Sequence, residues 1–261
     1  MNLINILIIL LAGVGTFAAG ASVYRSGLPL SLILLALLPW FLPLGLAVFT
    51  IACVHFVDFL IKFSVMRYRA NVRGVIQFGL FSMVGAWLSA NFLTDLQGYS
   101  PVVINSHISL SPFLLFIVGV ILFSVLFEWL GNRGFKLPFQ LPDILSGIFC
   151  GLASGASGVF ESFKKVIYKP RGLNFVQLSA TTIVSSLFTD MVRLPVYLAL
   201  VYGGSYSPLY NALALSSGLG AVISVLGGLR YLKEAQFESF RKWSLILIAL
   251  SAFGLIIQNF V

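Results

Sequence analysis

Charge is the scarcest commodity in this chain. Acidic residues number 8 and charged residues make up 9% of the sequence, against 59% hydrophobic. Soluble domains carry about 25% charged residues, so a soluble enzyme or binding module is excluded. Cysteine occurs twice, as Cys53 and Cys150, each within an apolar run. That excludes a disulfide framework, a redox pair and a thiolate metal centre. Histidine also occurs only twice, as His55 and His107. No P-loop is present, which argues against a nucleotide-driven pump. Neither a metal nor a cofactor is expected.

What is present is apolar sequence in long runs. A span needs about 20 such residues. The runs predict helices over residues 3–24, 28–46, 47–66, 74–93, 111–130, 143–162, 176–201, 209–229 and 242–260. The sixth is expected to be broken. The first run has no basic segment before it and is read as a mature helix, not a cleaved signal. Pro39, Pro43 and Gly45 divide a stretch too long for one crossing.

The net charge is +8, and the basic residues cluster between the runs. Arg25, then Arg67, Arg69 and Arg73, then Arg133 and Lys136 lie in alternate connections. So do Lys164, Lys165, Lys169 and Arg171, and finally Arg230, Lys233, Arg241 and Lys242. The connections at 94–112 and 203–209 have neither Lys nor Arg. The positive-inside rule puts the basic connections in the cytoplasm and the neutral ones outside. This pattern signals topology and lipid contact, not nucleic acid. Both ends of 141–163 then face inward, so LPDILSGIFCGLASGASGVFESF is expected to be re-entrant, interrupted at Gly151–Gly158.

An internal duplication is legible. A displacement of 132 positions pairs Thr50 with Thr182, Ile51 with Ile183, Phe56 with Phe188 and Asp58 with Asp190. Gly85 answers Gly220 after a small insertion, and AAGAS at 18–22 answers ASGAS at 153–157. The helices bearing Asp58 and Asp190 run in opposite senses by the loop charges, as inverted repeats require. The fold expected is an all-α polytopic membrane protein. It has about eight transmembrane helices, a re-entrant segment and two inverted-topology repeats, 1–135 and 136–261.

The polar residues inside the runs are the candidate site, because an intramembrane charge is retained at a cost of roughly 2.5–3.5 kcal/mol. In the segment SATTIVSSLFTDMVRLPVY, Thr182, Ser186 and Asp190 form one row, and Ser185, Thr189 and Arg193 the next. Asp190 and Arg193 are spaced to pair, and so are Asp58 and Lys62. His55 is suited to proton relay. The plain alternatives are a packing ion pair, a hydrogen-bonded histidine and a snorkelling lysine. The Ser154-Gly155-Ala156-Ser157-Gly158 break is expected to expose half-helix N-termini, an anion site built from backbone N–H groups. Its plain alternative is a small-residue packing surface.

The segments SGIFCGLASGASGVFES, LSATTIVSSLFTD and SSGLGAVISVLGG, with MRYRANVRGVIQFGLFSMVGAWLSANF in the first half, resemble the TauE/SafE family of sulfite-exporter-like membrane proteins. The resemblance implies transport, with export favoured, of a small sulfur-containing anion such as sulfite or a sulfonate across the cytoplasmic membrane. It maps the breaks to Ser154–Gly158 and Ala19–Ser22, and the polar helix start to Ala180–Thr182.

On this reading the anion site comprises Ser154, Gly155, Ser157, Gly158, Thr182, Ser186 and Arg193, with Gly20, Ser22 and Thr50 from the first repeat. Asp58, Asp190, Lys62 and His55 serve coupling or ion pairing. The partners are the anion, the bilayer, and a coupling proton or cation; a homodimer is compatible with this. Two other classes compete. Gly155-Ala156-Ser157-Gly158 reads G-x-S-G, as in an intramembrane serine protease using Ser157, but no histidine follows it. A non-transporting assembly factor is the other.

Overall fold

A computed structural model describes residues 3–105, 108–133, 142–158, 173–202, 206–228 and 238–258. Nine helices make up almost all of these. They are α1 (Leu3–Ser26), α2 (Leu30–Leu37), α3 (Leu44–Met66), α4 (Val72–Gly98), α5 (Pro112–Asn132), α6 (Asp143–Ser157), α7 (Phe175–Tyr202), α8 (Pro208–Gly228) and α9 (Glu238–Gln258). Seven are long and apolar enough to cross a membrane; α2 and α6 are shorter. The chain is therefore an all-α, multi-pass membrane protein.

Two expected elements differ from those observed. The 28–46 span is replaced by α2 and a 3-10 turn, Leu38–Trp40. The 11 residues from Leu30 to Trp40 reach only about 16 Å at 1.5 Å per residue, half the hydrocarbon thickness. Proline sets the limits: Pro29 precedes α2, Pro39 sits in the turn, and Pro43 caps α3. Second, α6 is unbroken from Asp143 through Ser157, so Gly151, Ser154 and Gly155 are helical. The helix ends at Gly158, whose φ of 71° places it in the left-handed region that glycine favours. Likewise Gly20 and Ser22 lie within α1, which ends at Gly27 with φ 65°. The interruptions thus fall at Gly27 and Gly158, later than the small-residue clusters suggested. Residues 159–162 of the predicted segment lie outside the described residues.

A short antiparallel hairpin, β1 (Val102–Asn105) and β2 (Ile108–Leu110), occupies the neutral connection, with Val103 opposite Ser109. The sequence reading did not anticipate it. α4 opens with Asn71 accepting from the Gly74 N–H at 2.8 Å, then runs as π-helix over Val75–Leu80 before regular helix resumes.

The packing exchanges partners between the halves. α1 lies along α8, and α6 lies along α4. In each pair a glycine lets two backbones touch: Gly220 meets the Gly13 carbonyl, and Gly85 meets the α6 backbone from Ile148 to Leu152. Small residues in membrane helices have this use, since lipid offers no hydrophobic drive to association. α3 crosses α7 and α5 meets α9. Buried α2 leucines, Leu32, Leu34 and Leu35, fill the centre against α3, α5 and α9.

Candidate functional site

The polar stripe on α7 faces inward. Thr181, Ser185, Ser186, Thr189, Asp190 and Arg193 are all buried. Most of their hydroxyls bond to their own preceding turn: Thr181 to Gln177 O at 2.7 Å, Ser185 to Thr181 O at 2.8 Å, Ser186 to Thr182 O at 2.8 Å. Thr182 bonds Ser179 O at 2.9 Å. Such back-bonding satisfies each donor while leaving acceptor capacity on the oxygen. Thr181 uses it, accepting the Asn71 N–H at 3.0 Å and so tying α4's start to α7.

At the middle of α7 three charged or chargeable groups meet. Asp190 Oδ1 pairs with Arg193 Nη2 at 2.7 Å, and Asp190 Oδ2 lies 2.8 Å from His55 Nδ1 on α3. Arg193 Nη2 is itself 3.0 Å from the same His55 nitrogen. The side chains are 0% (Asp190), 1% (Arg193) and 6% (His55) exposed, so the cluster is cut off from solvent. The sequence placed Asp190 with Arg193 and offered His55 separately; the structure brings all three together between α3 and α7.

The end of α6 completes the site. Arg193 Nη1 donates to Ser154 O at 3.0 Å, Tyr197 donates to Gly155 O, and Ser31 of α2 donates to Gly158 O at 2.7 Å. The guanidinium lies directly on Gly158, where a Cβ would come within 2.7 Å of Nη2. This corrects the expected anion site. Ser154, Gly155 and Gly158 form a helix C-terminus, which presents carbonyls and the negative end of the dipole. It stabilises a cation, and the cation is Arg193. The Ser157 side chain lies outside the described residues.

The other predicted residues are distributed as follows. Asp58 pairs with Lys62 at 2.6 Å on α3, one turn from His55; Lys62 lies 5.0 Å over the Phe59 ring, and Phe59 meets His55 edge-on at 4.4 Å. Thr50 is buried and bonds Leu46 O at 2.8 Å, and its methyl faces Gly218 of α8. Gly20 packs on Ser224 in the α1–α8 seam, and Ser22 bonds Ala19 O at 2.6 Å within α1.

Four participants escaped the sequence reading. Tyr197 was findable, being four residues past Arg193 on the same face. Ser31 was not, because nothing local marks α2 as reaching Gly158. Glu128 of α5, 4% exposed, pairs with Arg241 of α9; it stood in plain view as an acid inside an apolar run. Pro195 lies within α7 just past Arg193 and has no N–H for the Met191 carbonyl.

Two hollows flank this core. A polar one of about 590 Å³, lined by Tyr68, Arg69, Asn71, Asn174 and Gln177, opens at the basic end of α3 and α7. An apolar groove of about 630 Å³ separates α5 from α6. Comparison of the chain with protein-family models, with curated proteins and with solved structures finds no match. The family resemblance rests on the quoted segments alone.

Proposed function

We propose that this protein is a secondary transporter for a small anion of the sulfite or sulfonate class, acting in the cytoplasmic membrane without bond-making chemistry. One observation carries the reading. A solvent-excluded Asp190–His55–Arg193 cluster sits where α3 of the first half meets α7 of the second. Purely structural spans avoid such groups, because each costs energy in a bilayer. Transporters place them at the repeat interface, where motion of one half against the other exposes them alternately.

In this reading the described state is closed, with Arg193 held by Asp190 and the end of α6. The anion takes Arg193 from these internal ligands in the loaded state. The polar hollow at Arg69 and Asn71 is the inner approach, and Thr181, Ser185 and Thr189 form a hydroxyl column from it to Asp190. Export is the direction that the family resemblance favours.

The test is flux of labelled sulfite through proteoliposomes carrying the wild type or Arg193→Lys. Lysine keeps the charge and loses the planar donor fork. Flux is expected in the wild type and at least about tenfold less in the variant, the weight of one charge-assisted hydrogen bond. No flux above empty liposomes refutes the proposal. Equal flux in both removes Arg193 from the path.

A further inference from the structure

His55 Nδ1 occupies a contradictory position. It lies 2.8 Å from Asp190 Oδ2, which as a carboxylate only accepts, and 3.0 Å from Arg193 Nη2, which only donates. One ring nitrogen cannot serve both. With a lone pair on Nδ1 it accepts from Arg193; with a proton it donates to Asp190 and repels Nη2. Arg193 Nε is buried and has no partner among the described residues. Nε and Nη2 form one edge of the guanidinium, the side-on pair of parallel donors that fits two oxygens of an oxyanion.

The charges agree with the geometry. Asp190 and Arg193 cancel when His55 is neutral. A bound monoanion leaves the cluster at −1, and a proton on His55 leaves it at +1. The anion and one proton together restore neutrality, an uncompensated charge at this burial being strongly disfavoured, and the position of Nδ1 between Asp190 and Arg193 points to His55 as the group that takes the proton. Among the described residues, the other titratable or charged groups nearby are Tyr197 on α7, and Asp58, Lys62 and Cys53 on α3; α4, which also packs on α7, carries Arg73 and Asp95 near its two ends. Asp58 and Lys62 already neutralise each other. α6 contributes carbonyls at its end, and α2 and α8 contain no charged residue.

From this we infer that the coupling ion is a proton, that His55 carries it, and that it binds together with the anion, one proton per monoanion. The proton comes from solvent to the His55 ring; Asp190 stays a carboxylate, and the side-on edge of Arg193 is released to the anion. Binding is reciprocal: protonation raises anion affinity, and the anion raises proton affinity by the same factor. Transport is then electroneutral and reversible, and runs outward when the internal anion outweighs the pH gradient. This inference rests on the anion-transport reading.

The experiment is calorimetric titration of the detergent-solubilised protein with methanesulfonate, which stays ionised throughout the useful pH range, in buffers of differing ionisation enthalpy. Uptake of about one proton per anion is expected at alkaline pH, with affinity falling about tenfold per pH unit there. In His55→Gln both the uptake and the pH slope disappear. Binding by the wild type without proton uptake overturns the inference and leaves the anion reading standing, as does a pH slope that survives in His55→Gln. Absence of methanesulfonate binding to the wild type overturns the sulfonate reading together with the inference.

Discussion

Replacing Gly158 with alanine probes the seat of Arg193, and Gly27 supplies its reference. Gly158 ends α6 and Gly27 ends α1, at φ 71° and 65°, and both N–H groups reach back 2.7 Å, to Ser154 O and Val23 O. Alanine in that backbone region costs about 1–2 kcal/mol at either position. At Gly158 the new methyl also enters the guanidinium, 2.7 Å from Nη2, 3.0 Å from Cζ and closer still to Nη1. Arg193 must shift and weaken its bond to Ser154 O, a charged hydrogen bond of about 1.5–3 kcal/mol. Gly158→Ala is therefore expected to lose about 2.5–5 kcal/mol, and Gly27→Ala about 1–2 kcal/mol. Equilibrium unfolding in mixed micelles, followed by tryptophan fluorescence, measures both. Equal losses would refute the seating of Arg193 on Gly158.

Other outcomes follow from the same packing. Glu128→Gln strands the Arg241 charge and should cost about 3–5 kcal/mol in unfolding free energy, whereas Glu128→Leu with Arg241→Met should recover most of it. Gly220→Leu and Gly85→Leu should each block a backbone contact and cut folded yield in membranes; Gly15→Leu and Gly119→Leu, which meet nothing within 4 Å, should leave it unchanged. Tyr197→Phe removes one buried donor to Gly155 O and should lower stability by about 1–3 kcal/mol, the cost of an unsatisfied carbonyl, read by the same unfolding assay.

The segments that the sequence displayed best were those governed by the bilayer alone. Long apolar runs around Pro112–Asn132 and Pro208–Gly228 need no tertiary information, because lipid forces the backbone to satisfy itself. The stripe from Thr182 to Arg193 was visible for a related reason: a polar row on an apolar helix has one face to hide. The errors arose where partners decide. Gly151, Ser154 and Gly155 look like a break, yet they are helical because α4 presses against them; small residues signal close approach as readily as interruption. The polarity of the site was reversed by the same mistake, since a break before Ser154 offers N–H groups and an end at Gly158 offers carbonyls. Ser31 and the hairpin at Val102–Leu110 are set by contacts far along the chain and between strands, which no local pattern encodes.

The partner exchange between the halves bears on how the protein is made. α1 is made before α8, and its seam with α8 includes Gly13 and Gly20. That partner is synthesised only after all the intervening helices. α6 has no such delay, because α4 is already in place when it emerges. The nascent first half must therefore wait in the bilayer with a bare glycine seam along α1, open to whatever lipid or helper protein is near. Only α8 closes it. A truncation that ends before Pro208 leaves that seam open for good, so such fragments should be retained by membrane quality control.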